Sequence, residues 1–411
     1  MSISYGKQAS HIGAFLKENY QVSLREISAR RREALLNDTT YVQCDLCGSD
    51  DSAIIAKHDK FGLPVQSVIC KNCGLIYLNP RPSDASLRAF YEGGGTNDGV
   101  YHRITNFENV EEILKEWFGQ DFEMTAAERQ RLEQCRTEYL QLKRNDEGKP
   151  EEETEVYGTD IGRYLLPYLT PDAHAFEVGA SNGRTLSAFR DIVGCQVSGV
   201  EPKVASCEVA RERWGVDLIA GFSDHPDIPK GAFDIVLILR TINHMVHPLE
   251  ELRRAHNWLK PGGLIFIGNQ DSIEKARFSG FASRTVEIDH MYMFSINTLK
   301  SYLQKAGFEI IQAELVGHFT RKRDPDERDP WEARIIARKI DGPIDESSLE
   351  YPGAASELAR LVENLDYFAD NQQVRAVKKK KPQRKLKRFI KRIPIPGLYR
   401  LAKHLHLKYF N

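Results

Sequence analysis

Three groups of residues in this 411-residue chain have the types and spacing to do chemistry. Cys44-x-x-Cys47-Gly48 and Cys70-x-x-Cys73-Gly74 each set two thiolates on a tight turn, with a glycine relieving the crowding behind the second. Two such turns on neighbouring hairpins make a tetrahedral four-sulfur site, and with four protein ligands and no open position a zinc ion there is structural. Phe176-Glu-Val-Gly-Ala-Ser-Asn-Gly-Arg184 is a short apolar run ending in an acid, then a glycine-bounded loop, then a helix-compatible segment; Val197-Ser-Gly-Val-Glu-Pro202 is a second apolar run ending in an acid. This is how a nucleoside-bearing cofactor is gripped at the carboxyl edge of a parallel sheet. The third group is a set of histidines and a tyrosine in two later loops.

In Glu177-x-Gly179-x-Ser181-x-Gly183 the glycines let the backbone turn from strand to helix and come close to a ligand. The helix that follows presents unpaired N–H groups at its start. Glu201, at the end of the next strand, can accept hydrogen bonds from both ribose hydroxyls. A dinucleotide fingerprint places a second glycine where the pyrophosphate passes. Here Ser181 holds that position and the last spacing is shorter, which favours S-adenosylmethionine over NAD. Ser181 is tolerated at that position if its φ is negative.

Methyl transfer needs an aligned nucleophile, exclusion of water and, for a hydroxyl or carbon acid, removal of a proton. Arg240-Thr-Ile-Asn-His-Met-Val-His-Pro248 follows the fourth expected strand, where the cofactor methyl would project. His244 is the first candidate for general base, because imidazole titrates near neutrality; the alternative is that it packs or caps the next helix. His247, beside a proline, reads as a cap or a surface residue. Asp289-His-Met-Tyr-Met-Phe294 reads as an acceptor-facing loop, with His290 and Tyr292 as a second candidate pair, or else as core with His290 incidental.

These residues need a scaffold. Residues 157–341 alternate short strands and helices, the signature of a parallel α/β sheet. Strands are expected near 174–179, 197–201, 216–220, 233–239, 263–269, 308–316 and 333–339, with helices over 158–169, 183–191, 203–214, 248–259 and 296–306. Before this domain come a helical lead-in (1–40), the cysteine region (41–80) and a mainly helical, polar linker region (81–156) in which the acidic cluster 151–155 reads as exposed; after it come a helical extension (342–373) and a tail (374–411).

Glu177–Gly183, Glu201, Phe233-Asp-Ile-Val236 and Leu259-Lys-Pro-Gly-Gly263 together resemble, in order and spacing, the class I S-adenosylmethionine-dependent methyltransferases. The resemblance implies a seven-stranded Rossmann-like sheet whose final strand is antiparallel. It also makes Asp224, after the third strand, the candidate for binding the adenine amino group. The cysteine region, the stretch Gly74-Leu-Ile-Tyr-Leu-Asn-Pro-Arg-Pro82 and the domain behind them are similar to zinc-ribbon methyltransferases of bacterial surface-polysaccharide and nucleotide-sugar pathways and to sugar C-methyltransferases. That narrower resemblance implies a sugar or glycan acceptor and supports His244 as the base. Those C-methyltransferases usually carry an acid where this chain has Asn243, which leaves O-methylation open.

The net charge of −1 conceals an asymmetry: residues 374–411 hold fourteen Lys and Arg and no acid, leaving −15 on the rest. Leu386, Phe389, Ile390 and Ile393 fall at i, i+3, i+4 and i+7 among the basic residues, the pattern of a helix lying on an anionic membrane surface through 378–410. A polybasic run attracts any polyanion, but aromatics are few among the lysines, so nucleic acid is the weaker expectation. With no apolar run long enough to span a bilayer, no secretory pattern and an odd cysteine count of seven, the chain reads as cytoplasmic, peripheral at the inner membrane face. The rival readings are an RNA methyltransferase that holds its substrate with ribbon and tail, and a non-catalytic membrane-associated adaptor.

Overall fold

The computed structural model describes residues 15–21, 26, 29, 32–92, 110–144, 153–281, 285–317, 330–342 and 349–375. The basic tail beyond Arg375, and with it the expected membrane-facing helix, lies outside the described residues.

The cysteine region contributes β1 (Thr39–Thr40), β2 (Ser52–Ala56), β3 (Ser67–Cys70), β4 (Ile76–Leu78) and β5 (Arg81–Pro82). β2, β3 and β4 form an antiparallel meander, while β1 and β5 pair beside it. Among the described residues that follow are the helices α1 (Asp84–Glu92), α2 (Val110–Phe118), α3 (Ala126–Arg144) and α4 (Glu153–Leu165). The acidic cluster expected as an exposed linker is thus in part helical, because Glu153 opens α4. Acidic residues are favourable in the first turn of a helix, where the macrodipole is positive.

The large sheet is built from β6 (His174–Val178), β7 (Gln196–Glu201), β8 (Leu218–Ala220), β9 (Phe233–Leu239) and β10 (Leu259–Gln270), completed by β12 (Phe308–Gly317) and β13 (Pro330–Lys339). Its order is β12-β13-β10-β9-β6-β7-β8. The five strands from β8 to β10 are mutually parallel, and β13 runs antiparallel to both β10 and β12. Phe233-Asp-Ile-Val-Leu-Ile-Leu239 reads as a near-continuous apolar run because β9 is central and covered on both faces. Phe176 and Phe233 pack with centroids 4.5 Å apart under Trp258, which anchors one helical layer to the sheet.

The helices of this part are α5 (Arg184–Val193), α6 (Val204–Trp214), α7 (Pro248–Trp258), α8 (Ser272–Ser279), α9 (Ile296–Lys305) and, last, α10 (Gly353–Arg375). Leu186, Phe189 and Val193 place the buried stripe of α5 at helical spacing, and Gly194, at φ +78, ends the helix by donating its N–H to Arg190 O. Ser295 and Thr298 form a reciprocal capping box that starts α9. Leu259 leaves α7 directly into β10, so Lys260-Pro-Gly-Gly263 forms a bulge at the head of the strand.

Chain order turns back at β6: the first three strands run outward to β8, and β9 then starts on the other side of β6. In open parallel sheets this switch point, at the carboxyl ends of the strands, is where ligands bind. The same edge meets the cysteine region. β11 (Tyr292–Met293), in the loop expected to face the acceptor, is instead the fourth strand of the β2-β3-β4 sheet, with Tyr292 opposite Tyr77 and Met293 opposite Ile76. Reading 289–294 as a loop misses this pairing because a two-residue strand has no periodicity of its own.

Candidate active site and cysteine cluster

The glycine loop crosses the switch point between β6 and α5. Gly179 sits at φ +73, and a Cβ there would lie 2.5 Å from Thr241 Cγ2; Gly183, also at φ +73, would press a Cβ to 2.8 Å from Ala210 Cβ. Both positions therefore require glycine on conformation and on space. Ser181 departs from its expected backbone: its φ is +50, in the left-handed region. That costs a non-glycine residue about 1–2 kcal/mol, offset here because the Ser181 N–H is aimed at Glu201 Oε2, 2.9 Å away.

Glu201 also accepts from the Lys203 N–H through Oε1 at 3.2 Å. Burial raises its pKa, and the two backbone donors oppose that rise. Glu177 is 3% exposed and its Oε2 has no hydrogen-bond partner among the described residues. Burial, reinforced by Glu201, pushes the Glu177 carboxyl up to about 8. Two buried acids at one crevice, one with an oxygen in want of a donor, fit the cationic amino-acid end and the ribose of S-adenosylmethionine. Asp224 is exposed and ion-paired with Arg88 of α1, whose guanidinium lies 4.4 Å over the Phe222 ring.

On the other side of the switch point, His244 stands in a short 3-10 turn (Ile242–His244) after β9. Its Nδ1 lies 2.7 Å from Tyr91 Oη and 3.1 Å from Asp289 O. Tyr91 in turn donates to Asp289 O at 3.1 Å. A carbonyl only accepts, so this network assigns the proton to Nδ1 and leaves the Nε2 lone pair as the basic site. Burial lowers the His244 pKa, with Asp289 opposing, so the ring is neutral at pH 7.

His290 packs edge-on against His244 with ring centroids 4.4 Å apart. Its pKa is lowered to about 4, first by burial, which Glu287 opposes. Two ion pairs hold the segment beneath it. Asp289, fully buried, is gripped by Arg32 at 2.9 Å, and Glu287 by Lys60 at 2.5 Å. Phe61 lies under both cations, 4.6 Å from Arg32 Cζ and 4.8 Å from Lys60 Nζ. The Arg32 guanidinium and the two histidines hold the Asp289 carboxyl below the usual carboxylate range despite burial. His244, Asp289 and His290 have ligand-type atoms within 4.8 Å of one another, but the carboxylate is already committed to Arg32, so the trio fits a base with its support better than a cation.

The structure separates Tyr292 from this group. Its hydroxyl donates to Val246 O at 2.9 Å, and its ring stacks between Tyr77 and Phe294 in the joint with the cysteine region. His247 is exposed and holds the N-cap position of α7, as expected, though its side chain makes no cap hydrogen bond. Nε2 instead lies 2.9 Å from Asp84 Oδ2 and Nδ1 3.8 Å from Asp45 Oδ1, and these partners raise its pKa to about 9 against the effect of burial. Sequence reasoning misses Tyr91, Arg32 and Lys60, since their only signal is proximity to residues more than 150 positions away, and Glu287, which stands three residues before His290 but shows its role only through Lys60.

The four cysteines come together. Cys44 and Cys73 Sγ are 3.4 Å apart, Cys47 and Cys70 3.5 Å, and all four sulfurs lie within 4.8 Å of one another. A tetrahedral ion with metal–sulfur bonds of about 2.3 Å requires sulfur–sulfur edges of about 3.8 Å, which this set fits with little adjustment. Gly48 and Gly74, at φ +74 and +81, make the two turns. Their N–H groups donate to Cys44 O and Cys70 O.

Residues 151–313 match the family model described as a methyltransferase domain. An O-methyltransferase of Penicillium expansum is 27% identical over 182 residues, covering 42% of this chain and 66% of that protein. The 27-O-demethylrifamycin SV methyltransferase of Amycolatopsis mediterranei is 25% identical over 187 residues, covering 43% of this chain and 68% of that protein. The matches thus span about two thirds of these relatives' lengths. A tRNA U34 carboxymethyltransferase of Desulfotalea psychrophila is 27% identical over 142 residues, covering 32% of this chain and 44% of that protein. Among solved structures, an S-adenosylmethionine-dependent methyltransferase of Thermotoga maritima aligns with 22% identity and a TM-score of 0.34, covering 50% of this chain and 95% of that one. The family match makes this part of the chain a methyltransferase domain, and its sheet order and glycine loop are those of the class I S-adenosylmethionine-dependent methyltransferase fold.

Proposed function

We propose that the whole chain is an enzyme that moves a methyl group from S-adenosylmethionine to a sugar hydroxyl, on a nucleotide-sugar or surface glycan, with His244 as general base. The observation that carries this reading is the neutral, oriented His244 imidazole at the carboxyl edge of β9, beside the glycine loop. Glu177, Glu201 and the loop backbone would hold the cofactor, which supplies an electrophilic sulfonium methyl when bound. The chain's own residues then have three tasks. Tyr91 and Asp289 O fix the His244 tautomer, Nε2 takes the acceptor's proton, and His290 with its buried ion pairs shields that nitrogen from water.

The names of the fungal and actinobacterial relatives favour oxygen as the methylated atom. Asn243, neutral where the resembling C-methyltransferases usually carry an acid, points the same way. The sugar itself rests on the resemblance of the cysteine region and its Asn-Pro-Arg-Pro continuation. Zinc on Cys44, Cys47, Cys70 and Cys73 is proposed as structural, holding the surface that presents Tyr91 and Lys60. Recruitment to an anionic membrane through 378–410 is a separate proposal, resting on the sequence pattern of the tail; among the described residues no helix is long and apolar enough to cross a membrane.

The test is transfer of labelled methyl from S-adenosylmethionine to a panel of nucleotide sugars and oligosaccharides, with transfer RNA as the competing acceptor. Transfer to a sugar that His244→Ala abolishes supports the reading. Transfer to RNA alone, with binding that falls steeply with salt, overturns it in favour of a nucleic-acid enzyme.

A further inference from the structure

Lys275 lies on α8, in the segment that follows β10. Three neighbouring residues of this helix engage α10. Glu274 pairs with Arg360, Arg277 stacks on Tyr367, and the Ile273 carbonyl accepts from Asn364, all on α10. At 100° per residue, Lys275 lies about 200° from both Ile273 and Arg277, on the opposite face. Its ammonium donates to Gln270 Oε1 at 2.5 Å. Gln270 is the last residue of β10 and is in register with Glu332 on β13. Glu332 accepts from Arg240 at 3.3 Å, and Arg240 stands at the end of β9 with its guanidinium 4.5 Å over the Tyr157 ring. Lys275 and Arg240 are therefore tied to one Gln270–Glu332 pair, four residues before His244 on one strand end and just after the next.

The Arg240 backbone takes φ +56, a left-handed conformation that this residue holds while its N–H donates to Gly268 O at 2.7 Å. A long cationic side chain is thus held at the rim by an unfavourable backbone, the kind of local cost that accompanies a functional position. Lys60, paired to Glu287 beneath His290, is the third cation in electrostatic reach of Lys275, with Glu287 the anion. Burial lowers the Lys275 ammonium to about 8; Glu287 opposes that, while Lys60 and Arg240 add to it. Arg240 and Lys60 each face a carboxylate while Lys275 is held by the neutral Gln270, so a dianion arriving here would meet its strongest donor in Lys275, with the guanidinium of Arg240 beside it.

We propose that Lys275, with Arg240 and Lys60, forms an anion subsite on the acceptor side of the methyltransferase domain, taking a phosphate-class group carried by the acceptor. The proposal deepens the functional reading above, and rests on it only in placing the acceptor beside His244. A diphosphate of this kind can belong to a sugar nucleotide or to a lipid-linked glycan.

The experiment titrates the full, zinc-replete chain, saturated with S-adenosylhomocysteine, with inorganic pyrophosphate at constant ionic strength. Lys275→Met is compared with Lys275→Arg and with Lys230→Met as a surface control. Binding weakened at least about tenfold in Lys275→Met, restored in Lys275→Arg and unchanged in Lys230→Met, is the expected result. Equal binding by wild type and Lys275→Met, or no binding by wild type, overturns the subsite. If Lys275→Met does not fold, acetic anhydride labelling of the wild type decides: pyrophosphate should protect Lys275 and not Lys230, and equal labelling with and without pyrophosphate overturns the proposal. Uridine diphosphate and farnesyl diphosphate, titrated in parallel, separate the two sources: tighter binding of one than of pyrophosphate assigns it, and equal binding of all three means the subsite reads the diphosphate alone. His244→Ala should bind pyrophosphate like wild type while losing transfer. Subsite and base are thereby scored separately, and failure of one leaves the other standing.

Discussion

The two halves of the candidate active site are built in opposite ways. The cofactor half is nearly continuous in sequence: Glu177, Gly179, Ser181, Gly183 and Glu201 lie within one strand–loop–helix–strand unit, and the hydrogen bond from Ser181 to Glu201 closes it locally. The acceptor half draws Arg32, Lys60, Tyr91, His244 and Asp289 from across the chain, with contacts such as Arg32–Asp289 spanning 257 positions. A local unit needs only the sheet beneath it. A distributed one needs the cysteine region to be folded and docked, so the two halves should fail separately.

The sharpest way to break that comparison is to remove the metal proposed for the four cysteines. Chelation, or Cys73→Ser, should unfold the surface that carries Lys60 and α1 and lower methyl transfer by about 10²-fold or more. Affinity for S-adenosylmethionine, measured calorimetrically, should stay within about threefold. Equal loss of both would show that the halves are one cooperative unit.

His244→Ala comes next, with kcat reduced about 10²- to 10⁴-fold at unchanged cofactor affinity. In the wild type the acid limb of the rate profile should lie below pH 6.5. The sign follows from burial: the folded imidazole has a depressed pKa, so it is already neutral, and basic, at pH 7. Stability linked to this group is likewise lost as pH falls, because the unfolded chain takes up the proton more readily. An acid limb at or above pH 7 would point to another base.

Glu201→Ala should weaken S-adenosylmethionine by about 1.5–3 kcal/mol, roughly 10- to 150-fold, since a buried charged acceptor is lost, while any transfer measured at saturating cofactor changes far less. Unchanged affinity would sink the cofactor assignment. The smallest effect should come from Tyr292→Phe. Removing the hydroxyl that serves Val246 O should cost about 1 kcal/mol of stability in thermal melts and leave transfer within about threefold. A large loss of kcat with normal stability would return Tyr292 to the chemistry.

Much of this was legible beforehand for a physical reason. Strand β9 had to be apolar over 235–239 to be covered on both faces, and Gly179 and Gly183 had to be glycine where Thr241 and Ala210 crowd the backbone. The paired cysteine turns announce their own geometry. Tyr91 was not legible, because a tyrosine on a polar helix has no local mark of its partner, and Tyr292 read as a loop residue because β11 exists only where β4 offers it an edge. Ser181 misled in the other direction: its type suggested an ordinary backbone, and only the carboxylate of Glu201 explains the left-handed one.

The amino-acid sequence by itself determined the order of the strands' apolar runs, the glycine turn between β6 and α5 and the thiolate spacing, since each is set by residues within a few positions of one another. The tertiary structure decided which nitrogen of His244 carries the proton and which groups hold the ring. Those properties depend on burial and on hydrogen bonds between groups 45 and 198 positions apart, and neither is encoded in any local pattern.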